Sequence, residues 1–158
     1  MSVELTVIDR GAAEALLRRH HVGRMAFAHH DRITIHLVNY VFADGWIYAR
    51  METGDDVMTL RHNQWVAFEV DEVDGIYDWR SVTAHGSVHF LPDPSATPVA
   101  PALRRAYREG VRLIRSVVPG VFTPDDPIPE RTNVHRIHVD ELTGLVARSG
   151  APAALPPA

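Results

Sequence analysis

Two adjacent carboxylates, Asp55 and Asp56, follow Gly54 where a short helix is expected to begin. A helix start presents unpaired N–H groups and the positive end of the backbone dipole, so it attracts anions. A chain that places its own carboxylates there can be using Asp55 as an N-cap and Asp56 as a solvated first-turn acid. Alternatively, it changes what that helix end accepts. Upstream, His36 and Asn39 stand on an apolar strand where they can present polar groups to a ligand. A His in that place can act as a general acid toward a reduced substrate; the plainer reading is a half-buried strand residue. Trp79, with Tyr77, can stack on a planar ligand or pack in a core or interface. Arg104, Arg105, Arg108, Arg112 and Arg115 line one side of a long helical segment, a pattern of a solvated face or, alternatively, of an anion or partner surface.

Other chemistries are excluded by residue type. The chain has no Cys, which removes disulfides, thiolate metal sites and a cysteine nucleophile and fits a cytoplasmic setting. All 16 basic residues are Arg, so no Schiff-base lysine exists. The net charge of −4 argues against nucleic acid as a partner. Ten His residues do not assemble an obvious metal site. His85 and His89 share a strand face but stand roughly 13 Å apart at strand rise. His135 and His138 point to opposite faces, and His20-His21 and His29-His30 are sequence neighbours. No metal ligand set is therefore expected. No P-loop, GxGxxG, HExxH or Ser-His-Asp spacing occurs. No apolar run approaches the roughly 20 residues of a membrane span, and the first ten residues lack the pattern of a signal peptide.

The elements that must hold these residues are short and mostly extended. Asp9 caps a helix over about residues 10–20 with Ala12, Ala13, Leu16 and Leu17 as its apolar stripe. Alternation predicts a strand over 22–28 with Met25 and Phe27 on one face. A second strand covers 33–42, with Ile33, Ile35 and Leu37 opposite Thr34, His36 and Val38. Asp44-Gly45 marks a hairpin into a strand over 46–51. A helix over 54–63 buries Val57 and Leu60 and stops at Asn63. A strand over 65–70 points Val66, Phe68 and Val70 inward, and 71–78 reads as an acidic connecting loop. Residues 81–90 alternate most clearly. A helix over 101–118 is expected to bury Leu103, Tyr107, Leu113 or Ile114, and Val117. After a Pro/Asp-rich loop, a last strand covers 134–139, then a turn at 140–144. One domain over 1–149 and a disordered Ala/Pro tail over 150–158 complete the reading. Six to seven antiparallel strands with peripheral helices suggest a mainly β, closed or split barrel.

With these elements in place, the chain resembles the FMN-binding split β-barrel family, the pyridoxamine 5′-phosphate oxidase-like proteins, with a flavour of the Nim-type nitroimidazole-resistance proteins. The resemblance rests on VGRMAF (22–27), VNY (38–40), the Asp-Gly turn, IYAR (47–50), the Gly-led short helix, LRHN (60–63), VAFEVD (66–71), WRSVTAHGSV (79–88) and HRIHVDELTG (135–144). It implies a homodimer with FMN at the subunit interface. The flavin ring would lie against Thr34, Ile35, His36, Leu37, Val38 and Asn39, mostly through backbone groups. Ala49 and Arg50 fall near the ribityl phosphate, Ser81 where a polar side chain reaches the cofactor, and Arg136 on the strand that contributes from one side.

At the phosphate the chain departs from the family, whose grip is a Ser/Thr and a basic residue where this chain has Asp55 and Asp56. At an effective dielectric of 20, a carboxylate roughly 5 Å from a unit of phosphate charge costs about 3 kcal/mol. One charge-assisted hydrogen bond from Arg50 or Arg61 returns about 1.5–3 kcal/mol. The expectation is an FMN-dependent oxidoreductase acting on a small molecule. The alternative is a split-barrel binding module that has lost FMN phosphate binding and takes another planar ligand, such as haem or a deazaflavin, or none.

Overall fold

The computed structural model describes residues 1–150. Beyond Gly150, whose N–H donates to the Ser2 carbonyl at 2.9 Å, the expected Ala/Pro tail lies outside the described residues. The order is β1 (Val3–Val7), α1 (Arg10–Arg19), β2 (Val22–His29), β3 (Arg32–Ala43), β4 (Trp46–Met51), α2 (Asp55–His62), β5 (Trp65–Gly75), β6 (Asp78–Phe90), α3 (Pro101–Val117) and β7 (Asn133–Ser149). All pairings are antiparallel, in the order β1-β7-β4-β3-β2-β5-β6. An additional β6–β7 pairing closes the ring, which makes a mainly β split barrel. No described helix is long and apolar enough to cross a membrane.

Strand alternation fills the barrel. Met25, Phe27, Phe68, Val70, Val82, Ala84, Ile137 and Val139 meet inside it, with Leu16 and Leu17 of α1 and Leu60 of α2 in the same cluster. Asp9 Oδ1 accepts from the Ala12 N–H at 2.8 Å and fixes the start of α1 as expected. Asp44 and Gly45 both take positive φ, 49° and 80°, the pattern of a tight hairpin turn.

One strand is added to those expected, and three local expectations are corrected. Residues 3–7 form an edge strand, because β7 runs far enough to offer them a partner from Leu145 to Ser149. The acidic stretch 71–78 is strand and a two-residue turn, with Asp71 opposite Ser81 and Val73 opposite Trp79. Residues 140–144 continue β7. There the register against β6 shifts between His85 and Gly86, an irregularity that lets one long strand bend between two edges of the barrel. A Cβ on Gly86 would overlap the His138 carbonyl oxygen, so a side chain has no room at that bend. Finally, α3 buries Ala106, Gly110 and Ile114 at i, i+4 and i+8, while Leu103 and Val117 stay exposed near its ends. The small Ala106 and Gly110 let α3 settle onto Tyr48 and Val134 in a second cluster outside the barrel.

The ring is split at one place. Within β3, only Tyr40–Ala43 pair with β4. The preceding half of the strand, from Arg32 to Asn39, pairs with β2 alone. β4 instead stays with β7 and leads through Glu52, Thr53 and Gly54 into α2. One backbone edge of residues 32–39 is therefore left without a strand partner, beside α2.

Candidate functional site

Two clefts adjoin this split and share Asp56. One, of about 740 Å³, is lined by residues that include Thr34, Arg32, Asp55, Asp56 and Thr59. The other, of about 120 Å³, is lined by His36, Leu37, Val38, Arg50, Met51, Glu52, Asp56, Arg131, His135 and Met25. The expected strand and helix residues thus converge: Thr34, His36, Leu37, Val38, Arg50, Asp55 and Asp56 stand on these two clefts.

Gly54 occupies the N-cap of α2 and makes no side-chain cap. Asp55 and Asp56 are the first two helical residues, so Asp55 is not the cap that the sequence suggested. Asp56 turns toward β3, where its Oδ2 lies 2.9 Å from His36 Nε2. The contact is at ion-pair distance but is not aligned as a hydrogen bond, and His36 Nε2 remains a buried nitrogen without a hydrogen-bond partner. The His36 ring stacks flat on Phe27, 5.6 Å between centroids.

Arg50 is committed elsewhere. It is buried, and its two terminal nitrogens each donate to Asp126 at 2.7 Å, with a further bond to the Arg131 carbonyl at 3.1 Å. The guanidinium also lies over the Phe122 ring. Asp126 accepts from the Phe122 and Ile128 N–H groups as well. Its Arg50 partner holds its carboxyl far below the ordinary carboxylate range. This cluster ties the Pro/Asp-rich loop to β4. Arg61 sits in the last turn of α2, about 9 Å along the axis from the Asp pair, and lies 4.8 Å from the Phe90 centroid.

The remaining expected residues are dispersed within one chain. Ala49 is fully buried in the barrel core. The side chains of Ile35 and Leu37 point outward and are 67% and 64% exposed, with Ile33 at 77% beside them, which makes one apolar row. Asn39 accepts from Arg131 at 3.3 Å and lines an adjoining apolar pocket with Tyr40, Ile114 and Val121. Trp79 and Ser81 line a separate cleft of about 340 Å³ between β5, β6 and β7, where Ser81 donates to Glu69 at 2.9 Å. Arg136 points out of the barrel onto the Trp46 ring, 3.7 Å from its centroid, and lines neither of the two clefts at the split.

Sequence reasoning missed His135. It precedes Ile137 and Val139 on the inward face of β7, and that alternation was the available signal. Its ring is fully buried and lines the smaller cleft, yet neither ring nitrogen has a hydrogen-bond partner. Burial pushes its pKa from 6.5 down to about 4, with the nearby Asn133 backbone offsetting part of the shift. The ring is thus held neutral, with one nitrogen able to donate and one to accept. Among the described residues no group of three or more His, Cys, Asp or Glu could hold a metal ion.

Residues 9–146 match the family model described as pyridoxamine 5′-phosphate oxidase. The chain belongs to that family. Solved structures similar to it share its fold at low identity. An FAD-binding protein from Mesorhizobium loti is 21% identical with a TM-score of 0.71, over 92% of this chain and 99% of its own. A candidate 5-nitroimidazole antibiotic resistance protein from Bacteroides thetaiotaomicron is 16% identical with a TM-score of 0.67, over 93% of this chain and 90% of its own. An FAD and heme binding protein from Mycobacterium smegmatis is 14% identical with a TM-score of 0.63, over 95% of this chain and 76% of its own. No curated protein matches the chain.

Proposed function

We propose that the protein is a homodimeric, flavin-dependent oxidoreductase whose isoalloxazine ring sits at the split between β3 and α2. The observation that carries this is the unpaired backbone edge of residues 32–39, which faces two clefts, the smaller of them lined by His135, whose two ring nitrogens are buried and unpartnered. A flat heterocycle edged with carbonyls and N–H groups satisfies both features. Membership of the family and the flavin-binding description of the Mesorhizobium loti protein support the same reading. The resemblance implies FMN as the flavin.

The residues fit the ring portion of a flavin and do not fit its phosphate at the start of α2, where Asp55 and Asp56 stand. When bound, a flavin supplies the hydride and electron chemistry, and the protein supplies position and surroundings. The β3 edge orients the ring through main-chain groups. His135 fixes its register from inside the barrel while remaining neutral. His36, against Asp56, provides a proton at the open side for a reduced substrate. The apolar row Ile33, Ile35 and Leu37 is covered by a second copy, since a strand face this apolar and this exposed is a usual mark of an interface. That copy also contributes the Trp79–Ser81 cleft to the site.

The test is the visible spectrum of the protein purified from cells, followed by calorimetric titration with riboflavin, FMN and FAD. A flavin spectrum or saturable flavin binding is expected. A colourless protein that binds none of the three at high micromolar ligand refutes the proposal.

A further inference from the structure

We infer that the α2 end of this cleft selects a flavin-type heterocycle that carries no phosphate there, with Asp56 as the specificity-determining residue. The inference rests on the flavin reading above. Three carboxylates, Glu52, Asp55 and Asp56, border the two clefts. Of the cations beside them, Arg50 is neutralised by its two-pronged bond to Asp126. Arg61 is at the far end of α2 on Phe90. Arg32, which is exposed, and Arg131, which is half-buried and donates to Asn39, remain, one on each cleft, so these carboxylates and arginines leave a formal balance of one negative charge. Helix N–H groups that ordinarily attract an anion are here screened by the chain's own side chains.

An acidic cluster alone would say nothing about a ligand. His135 does, because it is fully buried, lines the same cleft and has neither nitrogen bonded. A neutral imidazole amid apolar residues recognises an uncharged donor–acceptor edge, not a phosphate. His36 adds a third nitrogen without a hydrogen-bond partner, held at 2.9 Å from Asp56. The cleft therefore offers uncharged recognition inside and negative charge at the helix start. Riboflavin has that character and FMN does not.

The test measures riboflavin and FMN affinities by flavin fluorescence titration on the full chain, for the native protein, Asp56→Asn, and the double variant Asp55→Ser/Asp56→Lys, each checked for folding by circular dichroism. Native protein is expected to bind riboflavin at least about tenfold more tightly than FMN at low salt. The ratio falls in Asp56→Asn and reverses in the double variant. If the variants do not fold, the native ratio decides, and it must shrink as salt is raised because the discrimination is electrostatic. Native protein that binds FMN as tightly as riboflavin, or more tightly, overturns the inference and leaves the flavin reading standing. No binding of either flavin by any form overturns both.

Discussion

Replacing His135 with Leu should make the protein more stable and less sensitive to acid, at the expense of ligand binding. The native ring is fully buried without a hydrogen-bond partner, and a buried polar side chain in that state costs about 1–3 kcal/mol. Leu fills a similar volume with no polar atom, so His135→Leu should gain about 1–3 kcal/mol at pH 7. The pH dependence follows from the depressed pKa, 6.5 ordinarily and about 4 in the fold. Above the ordinary value both states are neutral and nothing changes. Below it the unfolded chain takes up a proton that the folded protein refuses, so stability falls until the folded value is reached. One pKa unit corresponds to about 1.4 kcal/mol, so the native protein should lose about 2 kcal/mol between pH 7 and pH 5 through this group. Urea denaturation of native and variant protein at both pH values measures it. The variant should lose that much less than native protein over the interval. Equal losses in the two proteins would show that His135 is protonated in the fold without penalty, and the account of a neutral, waiting imidazole would fail.

Other expectations follow from the same contacts. Tyr40 donates to the Leu17 carbonyl at 2.7 Å in the core, so Tyr40→Phe should cost about 1 kcal/mol by urea denaturation. Gly86→Ala forces a Cβ into the His138 carbonyl and should destabilise by at least about 1–3 kcal/mol, seen as a lowered thermal midpoint. Arg50→Met strands the buried Asp126 carboxylate and frees the Pro/Asp-rich loop; faster proteolysis within 119–132 is the readout. Ile35→Asp places a charge in the exposed apolar row and should convert a dimer to monomer in light scattering, with flavin affinity lost alongside.

Most elements were legible because alternation and turn chemistry are local. Met25 and Phe27, Val66 to Val70, and Asp44-Gly45 each declare themselves within a few residues, and their order suffices for a split barrel. What was not legible depends on partners far away in sequence. Val3, Leu5 and Val7 alternate with Glu4 and Thr6, but the run is only five residues long and all five are exposed, so its place as a strand depends on the edge that β7 supplies. Asp140 to Gly144 looks like a turn because the bend at Gly86 sits on a different strand. The helix stripe of α3 was misassigned because Ala106 and Gly110 are weak apolar signals, yet small size is what brings the helix close.

The site divides in the same way. Asp55 and Asp56 could be placed at a helix start from sequence alone, and their conflict with a phosphate was visible there. That Arg50 is already spent on Asp126, 76 residues later, was not, since only the fold brings the loop back to β4. His135 hid for a related reason. Beside Arg136 and His138 it looks like one more polar residue on a mixed strand, and only the closure of the barrel turns it inward.

The most direct test of the central claim is a crystal structure of the protein with riboflavin bound. The flavin ring is expected along the open edge of residues 32–39, with a ring nitrogen of His135 within hydrogen-bond distance of its polar edge. A flavin bound elsewhere, or bound at the split while both His135 nitrogens remain unpaired, would contradict it.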